Sequence, residues 1–331
     1  MARSSGRTSP DLGTLSPARL YRALGGTGLV RRLALLARDE DLGAAGDITS
    51  AASIPSRARA TARVVARGPG IVAGLAALEE FRRALAPRCT IALKSRDGRS
   101  VKRGATLAVI RGPLREILAF ERPALNVLGR LSGIATRTSM FVRALPRSSR
   151  AAMYDTRKTT PGMRVLEKYA VRCGGGRCHR MGLFDAVLLK DNHIAGVAPE
   201  ALGAHVSRVA RAAHRRAGPA PAFVEVEVDS IAQLRSVLEA QRSAPRDERI
   251  DIVLLDNMTP ATMRRAAALR DRLAPRVELE ASGGVTLESV PVIASTGVDR
   301  ISAGSLTHGA TWLDIALDID PVRRGKGTRG R

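Results

Sequence analysis

From about residue 150 to 303 the chain repeats one pattern. Apolar or alternating runs of five or six residues end near Tyr154, Leu189, Val228, Leu255, Ala281 and Ile301, and most lead into a polar or Gly-rich turn and a helical stretch. Strands that alternate with helices build a parallel sheet. A polar or charged residue at nearly every carboxyl end predicts an α/β barrel with fewer than eight strands, a doubly wound sheet being the alternative. No Gly-x-Gly-x-x-Gly opens the first strand-helix turn, so a dinucleotide-binding fold has no direct support.

Before residue 150 the pattern is different. Short β-prone runs at 62–66, 90–93 and 106–110, with a helix near 75–85, are divided by Gly-Pro, Asp-Gly and Arg-Gly turns and predict a small α+β unit. Between 114 and 145 Leu118, Leu125, Leu128, Leu131 and Ile134 lie on one helical face, predicting a long helix that breaks or restarts at Pro123. Residues 1–20 and 322–331 carry no periodicity and read as flexible basic ends.

Composition narrows the class. With 331 residues, 44% of them apolar, the chain has ample core, and no apolar run approaches the ~18 residues that cross a bilayer. The start lacks the apolar segment of a secretory signal, and Cys89, Cys173 and Cys178 are too few for a disulfide framework, so a soluble cytoplasmic protein with reduced thiols is expected. Fifty-four basic residues against 31 acidic leave +23, about two-thirds of it outside the two ends. That charge calls for anionic partners: nucleic acid, or small phosphorylated or polycarboxylate ligands, beside the plain alternative of a solvated arginine surface. Nine aromatic residues leave little for base stacking, so no specific nucleic-acid partner is expected. Six of the basic residues are lysine, and Lys158, Lys168 and Lys190 fall close together, which marks positions where a compact ammonium is needed.

In a barrel the site lies at the carboxyl ends of the strands. The first end reads Asp155-Thr-Arg157-Lys158-Thr-Thr-Pro-Gly162; a Gly-rich loop with Arg177-Cys178-His179-Arg180 follows, and Lys190-Asp-Asn-His193 closes the next strand. This is a cationic bowl in which Arg157 and Arg180 grip carboxylate or phosphate bidentately, while Lys158 and Lys190 act as point charges. The next two ends are acidic. Glu225, Glu227 and Asp229 alternate with valines and Asp256 follows 252–255. Glu227 and Asp256 suit ribose hydroxyls, a developing cation or magnesium, whereas Glu225 and Asp229 read as partners of arginines on the barrel exterior. Ser282-Gly283-Gly284 and Ala303-Gly304-Ser305 end the last two strands as backbone N–H sites for a phosphate. A metal cluster at Cys173, Cys178 and His179 lacks an evident fourth ligand.

These residues resemble the quinolinate phosphoribosyltransferase (nicotinate-nucleotide pyrophosphorylase) family over about 300 positions. The similarity runs through Glu40-Asp-Leu-Gly43, Gly46-Asp-Ile-Thr49, Glu121-Arg-Pro-Ala-Leu-Asn126, DTRKTTPG, HRMGL, LLKDNHI, VEVEV, LLDN, EASGG and ISAGSLTH, in that order. The resemblance implies an open seven-stranded α/β barrel with an amino-terminal α/β sandwich completed by the carboxyl-terminal segment. Its boundaries are read as sandwich at 21–125 plus 308–321 and barrel at 126–307. It also implies a magnesium-dependent transfer of phosphoribosyl from 5-phosphoribosyl-1-pyrophosphate to quinolinate, with loss of carbon dioxide and pyrophosphate, as a step of NAD biosynthesis. Arg157, His179, Arg180 and Lys190 are then expected on quinolinate, with Arg122 donated by the partner in a homodimer or hexamer. Lys158 is expected between quinolinate and pyrophosphate, Glu227 and Asp256 on the ribose, and Ser282, Gly283, Gly284, Gly304 and Ser305 at the 5-phosphate. Lys158, Lys190, Glu227 and Asp256 are the expected catalytic groups, and magnesium is expected to ride mainly on the phosphoribosyl substrate. Cys178 stands where the family pattern has Asn, and 242–249 looks like an inserted charged loop. A related pyridine or base phosphoribosyltransferase, or a basic nucleic-acid-binding protein, are the alternatives.

Overall fold

A computed structural model describes residues 15–216 and 220–320. The chain runs α1 (Pro17–Gly25), α2 (Leu29–Leu42), α3 (Ile48–Ser53), β1 (Arg59–Ala66), β2 (Gly70–Ile71), α4 (Leu78–Leu85), β3 (Thr90–Leu93), β4 (Ser100–Val101), β5 (Thr106–Pro113) and the long α5 (Leu114–Ala144). It continues through β6 (Ala152–Tyr154), α6 (Arg164–Cys173), β7 (Val187–Leu189), α7 (Asp191–Ile194), α8 (Leu202–Arg215), β8 (Val224–Val228), α9 (Ile231–Gln241) and β9 (Ile252–Asp256). The last elements are α10 (Pro260–Leu273), β10 (Glu278–Ser282), α11 (Val290–Ala294), β11 (Arg300–Ser302) and β12 (Ile315–Ile319). Two compact units result among the described residues: one from 16–137, 160–175 and 310–320, the other from 138–159, 176–216 and 220–309.

The first unit holds an antiparallel sheet ordered β12-β1-β5-β3, with the ribbon β2-β4 beside it. The carboxyl-terminal strand completes this sheet, as expected, and β12 pairs with β1 from Ala62↔Ile319 to Ala66↔Ile315. To reach it the chain crosses α5, where Leu313 N–H donates to Gly129 O at 3.0 Å. A Cβ on Gly133 would stand 2.1 Å from Thr311 O, so this approach requires glycine.

Two expectations are corrected here. The residues read as a flexible lead include the start of α1, which begins with Pro17 at its first turn, buries Leu20 and Leu24, and sets Tyr21 edge-on to Tyr169 at 5.3 Å; residues 1–14 and 321–331 lie outside the described residues. α5 runs unbroken through Pro123 for 31 residues. An interior proline costs about 3 kcal/mol. Ile117, Phe120, Leu128, Leu131 and Ile134 are each no more than 1% exposed. At roughly 1.5–3 kcal/mol apiece, that stripe outweighs the lost turn.

The second unit is the predicted parallel sheet, ordered β6-β11-β10-β9-β8-β7. Each strand pairs in register with the next, as in Ala281↔Leu255 and Val228↔Leu255. A parallel bridge between Tyr154 and Arg177 adds a one-residue seventh rung beyond β6. Burial of Ile252, Val253, Leu254 and Leu255 on both faces of β9 is the mark of a parallel sheet covered on both sides.

Candidate active site

The carboxyl ends of these strands open into one cavity of about 800 Å³ within the second unit. β6 delivers Arg157 and Lys158, the loop after Arg177 delivers His179 and Arg180, and β7 delivers Lys190. β8 and β9 bring Glu227 and Asp256, β10 brings Ser282, Gly283 and Gly284, and β11 brings Gly304 and Ser305. Twelve of the thirteen sequence-predicted residues line this cavity. Arg122 does not: it lies on α5 in a recess of the first unit with Glu40, Asp41 and Asn126.

The cationic wall is under electrostatic tension. Burial lowers the Arg180 guanidinium pKa from its ordinary value, and the charge of Arg157 lowers it further. Two guanidiniums that disfavour one another are relieved by an anion between them. Opposite them, Lys190 Nζ donates to Glu227 Oε2 at 2.9 Å, which ties the end of β7 to that of β8. Lys158 is anchored through its carbonyl, which accepts from Thr307 Oγ1 at 2.7 Å, and its side chain runs over Gly304.

The phosphate-type turn has a cause that lies outside itself. Gly283 has φ +95, and a Cβ there would stand 2.1 Å from Asn257 Oδ1. Asn257 is the one non-glycine residue with positive φ among the described residues. Its backbone N–H donates to Ser282 O at 3.0 Å and its Nδ2 to Asp256 Oδ2 at 3.0 Å. One asparagine therefore links the acidic end of β9 to the Gly-rich end of β10.

Beneath the cavity lies a cluster that sequence reasoning missed. Glu225 does not face the exterior: it is fully buried on β8, with its Oε2 3.0 Å from His179 Nε2. Glu280 on β10 is also fully buried, its Oε1 3.4 Å from the same nitrogen and its Oε2 accepting from Arg300 Nε at 2.8 Å. Arg300 stacks over the Tyr154 ring at 3.8 Å, and Phe223 meets His179 edge-on at 5.3 Å. Asp155 Oδ1 accepts the His179 N–H at 2.8 Å, and His179 Nδ1 accepts the Arg180 N–H at 2.8 Å. Burial and then the neighbouring Glu280 charge raise the Glu225 carboxyl pKa. Burial works against ionised Glu280 as well, yet His179 and Arg300 hold it below the ordinary carboxylate range. For His179, burial disfavours the charge while the Glu280 and Glu225 carboxylates favour it, which raises its affinity for a proton for as long as both of them are ionised. The signal was present as Glu280 between Leu279 and Ala281 and Arg300 before Ile301, each in a buried stretch of strand where a charge demands a partner.

Among the described residues, His179, Glu225 and Glu280 form a group with metal-ligand spacing, their ligand atoms within 4.8 Å of one another. Arg300 on Glu280 and the occupied Nδ1 of His179 suit a proton there better than a cation. Cys173 and Cys178 belong to different units and are both buried free thiols. The charged loop at 242–249 includes a single helical turn, Arg246–Glu248, and pairs with α8 through Arg211 and Glu248. No helix among the described residues is long and apolar enough to cross a membrane.

Comparison with known proteins agrees with this geometry. Residues 47–132 match the model of the quinolinate phosphoribosyl transferase N-terminal domain, and residues 134–318 that of its C-terminal domain. The probable nicotinate-nucleotide pyrophosphorylase [carboxylating] of Bacillus subtilis is 41% identical over 280 residues, 85% of this chain and 90% of that protein. A quinolinate phosphoribosyltransferase [decarboxylating] of Nicotiana tabacum is 39% identical over 295 residues, 86% of this chain and 81% of its own. The solved nicotinate-nucleotide pyrophosphorylase of Francisella tularensis superposes with a TM-score of 0.76 at 31% identity, covering 95% of this chain and all of that one. With both domain models matched and these relatives covered over 81 to 100% of their lengths, the chain belongs to the quinolinate phosphoribosyl transferase family.

Proposed function

We infer that the protein is a decarboxylating quinolinate phosphoribosyltransferase of NAD biosynthesis, joining quinolinate to 5-phosphoribosyl-1-pyrophosphate to give nicotinate mononucleotide, carbon dioxide and pyrophosphate. The observation that carries the reading is the single cavity in which a paired-arginine wall faces two Gly-rich strand ends, a shape for one dicarboxylate beside one sugar phosphate. Arg157, Arg180 and Lys190 take quinolinate, with His179 behind them holding the Arg180 backbone through Nδ1, and Ser282, Gly283, Gly284, Gly304 and Ser305 take the 5-phosphate. Glu227 and Asp256 take the ribose.

The chemistry follows from that arrangement. As pyrophosphate departs, the anomeric carbon gains positive character, which the Glu227 and Asp256 carboxylates favour, while Lys158 offsets charge on the leaving group. The pyridine nitrogen bonds to that carbon as pyrophosphate leaves with its bonding pair; the quaternised nitrogen then stabilises the electron pair left on the adjacent ring carbon when its carboxylate departs as carbon dioxide, and a proton from water takes up that pair as the C–H of nicotinate mononucleotide. Glu227 and Asp256 offer hard oxygen donors of the kind magnesium takes. Bound with the diphosphate, magnesium supplies further charge neutralisation there. Arg122, outside this cavity in its own chain, reaches the quinolinate site of a second copy in a homodimer, and the reaction takes place in the cytoplasm.

The test is pyridine-nucleotide formation from 5-phosphoribosyl-1-pyrophosphate and magnesium with quinolinate or nicotinate as acceptor. Turnover with quinolinate alone is expected. Arg157→Ala should lower kcat/KM for quinolinate roughly 10- to 100-fold, the scale of about 1.5–3 kcal/mol for a charged hydrogen bond. Turnover with nicotinate alone would assign a different pyridine phosphoribosyltransferase.

A further inference from the structure

Glu225 and Glu280 are unusual neighbours. Both carboxylates are fully buried, and Glu225 Oε1, Glu225 Oε2 and Glu280 Oε1 have no hydrogen-bond partner of ordinary geometry. Two such ions beside one another in a core cost several kcal/mol unless their charge is matched. Arg300 matches one of them, at 2.8 Å from Glu280. The second charge has two remedies: a doubly protonated His179, or a proton retained by the carboxyl pair itself.

The geometry at Nδ1 selects between them. An imidazolium carries hydrogen on both ring nitrogens. Here Nδ1 accepts the backbone N–H of Arg180 at 2.8 Å, a distance that leaves no room for a second hydrogen between the two nitrogens. The ring hydrogen is therefore on Nε2, which lies between Glu225 Oε2 and Glu280 Oε1. Asp155 fixes the other side of the residue by accepting its backbone N–H.

We propose that Glu225 and Glu280 are positioning residues that share one retained proton and hold His179 as the neutral Nε2–H tautomer, so that its Nδ1 anchors the backbone of Arg180 in the wall of the quinolinate pocket. The proposal rests on the quinolinate reading for the substrate that Arg180 meets, but not for the state of the ring. The groups facing the cluster are Glu225 from β8, Glu280 from β10, Arg300 from β11, Asp155 after β6, and Arg180 with Arg157 from the wall. The arrangement transmits order from the core to the pocket: carboxyl pair to Nε2, ring to Nδ1, Nδ1 to the Arg180 amide. It also leaves Arg300 and the carboxyl pair with no net charge between them, so that they add no cation to the positive field that the two arginines and the lysines set over the pocket.

The direct test is the nitrogen NMR spectrum of the full-length protein labelled in its five histidines, with His179 assigned by the signal missing from His179→Gln. The expected result is one protonated and one acceptor nitrogen, unchanged from pH 5 to 9, and two protonated nitrogens at neutral pH would overturn the proposal. This reading needs no substrate and stands whether or not quinolinate is turned over. The kinetic arm compares Glu225→Ala with Glu225→Gln, whose amide keeps an uncharged polar group of the same shape beside Nε2. Glu225→Ala should raise the quinolinate KM about tenfold with the phosphoribosyl pyrophosphate KM unmoved, as loss of an orienting partner does, and Glu225→Gln should recover most of it. An equal rise in both KM values, or no rescue by glutamine, would overturn it. If Glu225→Ala fails to fold, the wild-type spectrum still decides.

Discussion

Gly283 and Asn257 compete for the same space, and the glycine yields. Gly283→Ala would drive a methyl into Asn257 Oδ1 at a φ that favours glycine, pushing the asparagine off Asp256. The phosphoribosyl pyrophosphate KM should rise about tenfold or more while the quinolinate KM changes little, because the effect enters through the phosphate turn. Steady-state kinetics with each substrate varied in turn checks this, and equal changes would contradict it. The glycine was legible in the sequence as a phosphate turn, but its cause was not, because Asn257 is 26 positions away and neighbours it through strand order alone. Glu225 shows the same limit. Its alternation with Glu227 was readable, and it places both on one face, yet which face the barrel encloses depends on what β8 packs against.

At the scale of elements, periodicity located the six parallel strands because each is a short apolar run with a marked carboxyl end. It failed where one local signal met a larger tertiary one. Pro123 signalled a break, and a stripe of buried side chains overrode it. Residues 17–20 carried too few positions for a helical period to show, yet Leu20 is fully buried. A chain lacking residues 1–20 should therefore melt several degrees lower than one beginning at Leu15, since a buried leucine contributes about 1.5–3 kcal/mol. Differential scanning calorimetry of the two forms checks it, and equal melting temperatures would mean that α1 adds nothing.

For the whole molecule, +23 is a large charge, and the cavity accounts for a few cations of it: Arg157, Lys158, Arg180 and Lys190. The rest is a general field that attracts polyanions without reading them. Duplex DNA should bind weakly and be lost between about 50 and 200 mM salt, the behaviour of counterion release, with quinolinate turnover unaffected at the higher salt. Tight binding that persists at 200 mM salt would give the charge a role beyond the small substrates. Composition announced an anionic partner but not its size; the spacing of cations at successive strand ends and the family resemblance supplied that.

The pairing of β12 with β1 has a consequence for biosynthesis. Arg67 meets Asp318 across 251 residues, so the first sheet begun on the ribosome is the last to be finished. At about 5–20 residues per second, β1 waits on the order of ten to fifty seconds for its neighbour, while every residue of the second unit is made in between. Through that interval one edge of β1, with Val64 and Val65 in it, is open to any other extended chain. A chain that stops before Ile315 keeps that edge open for good.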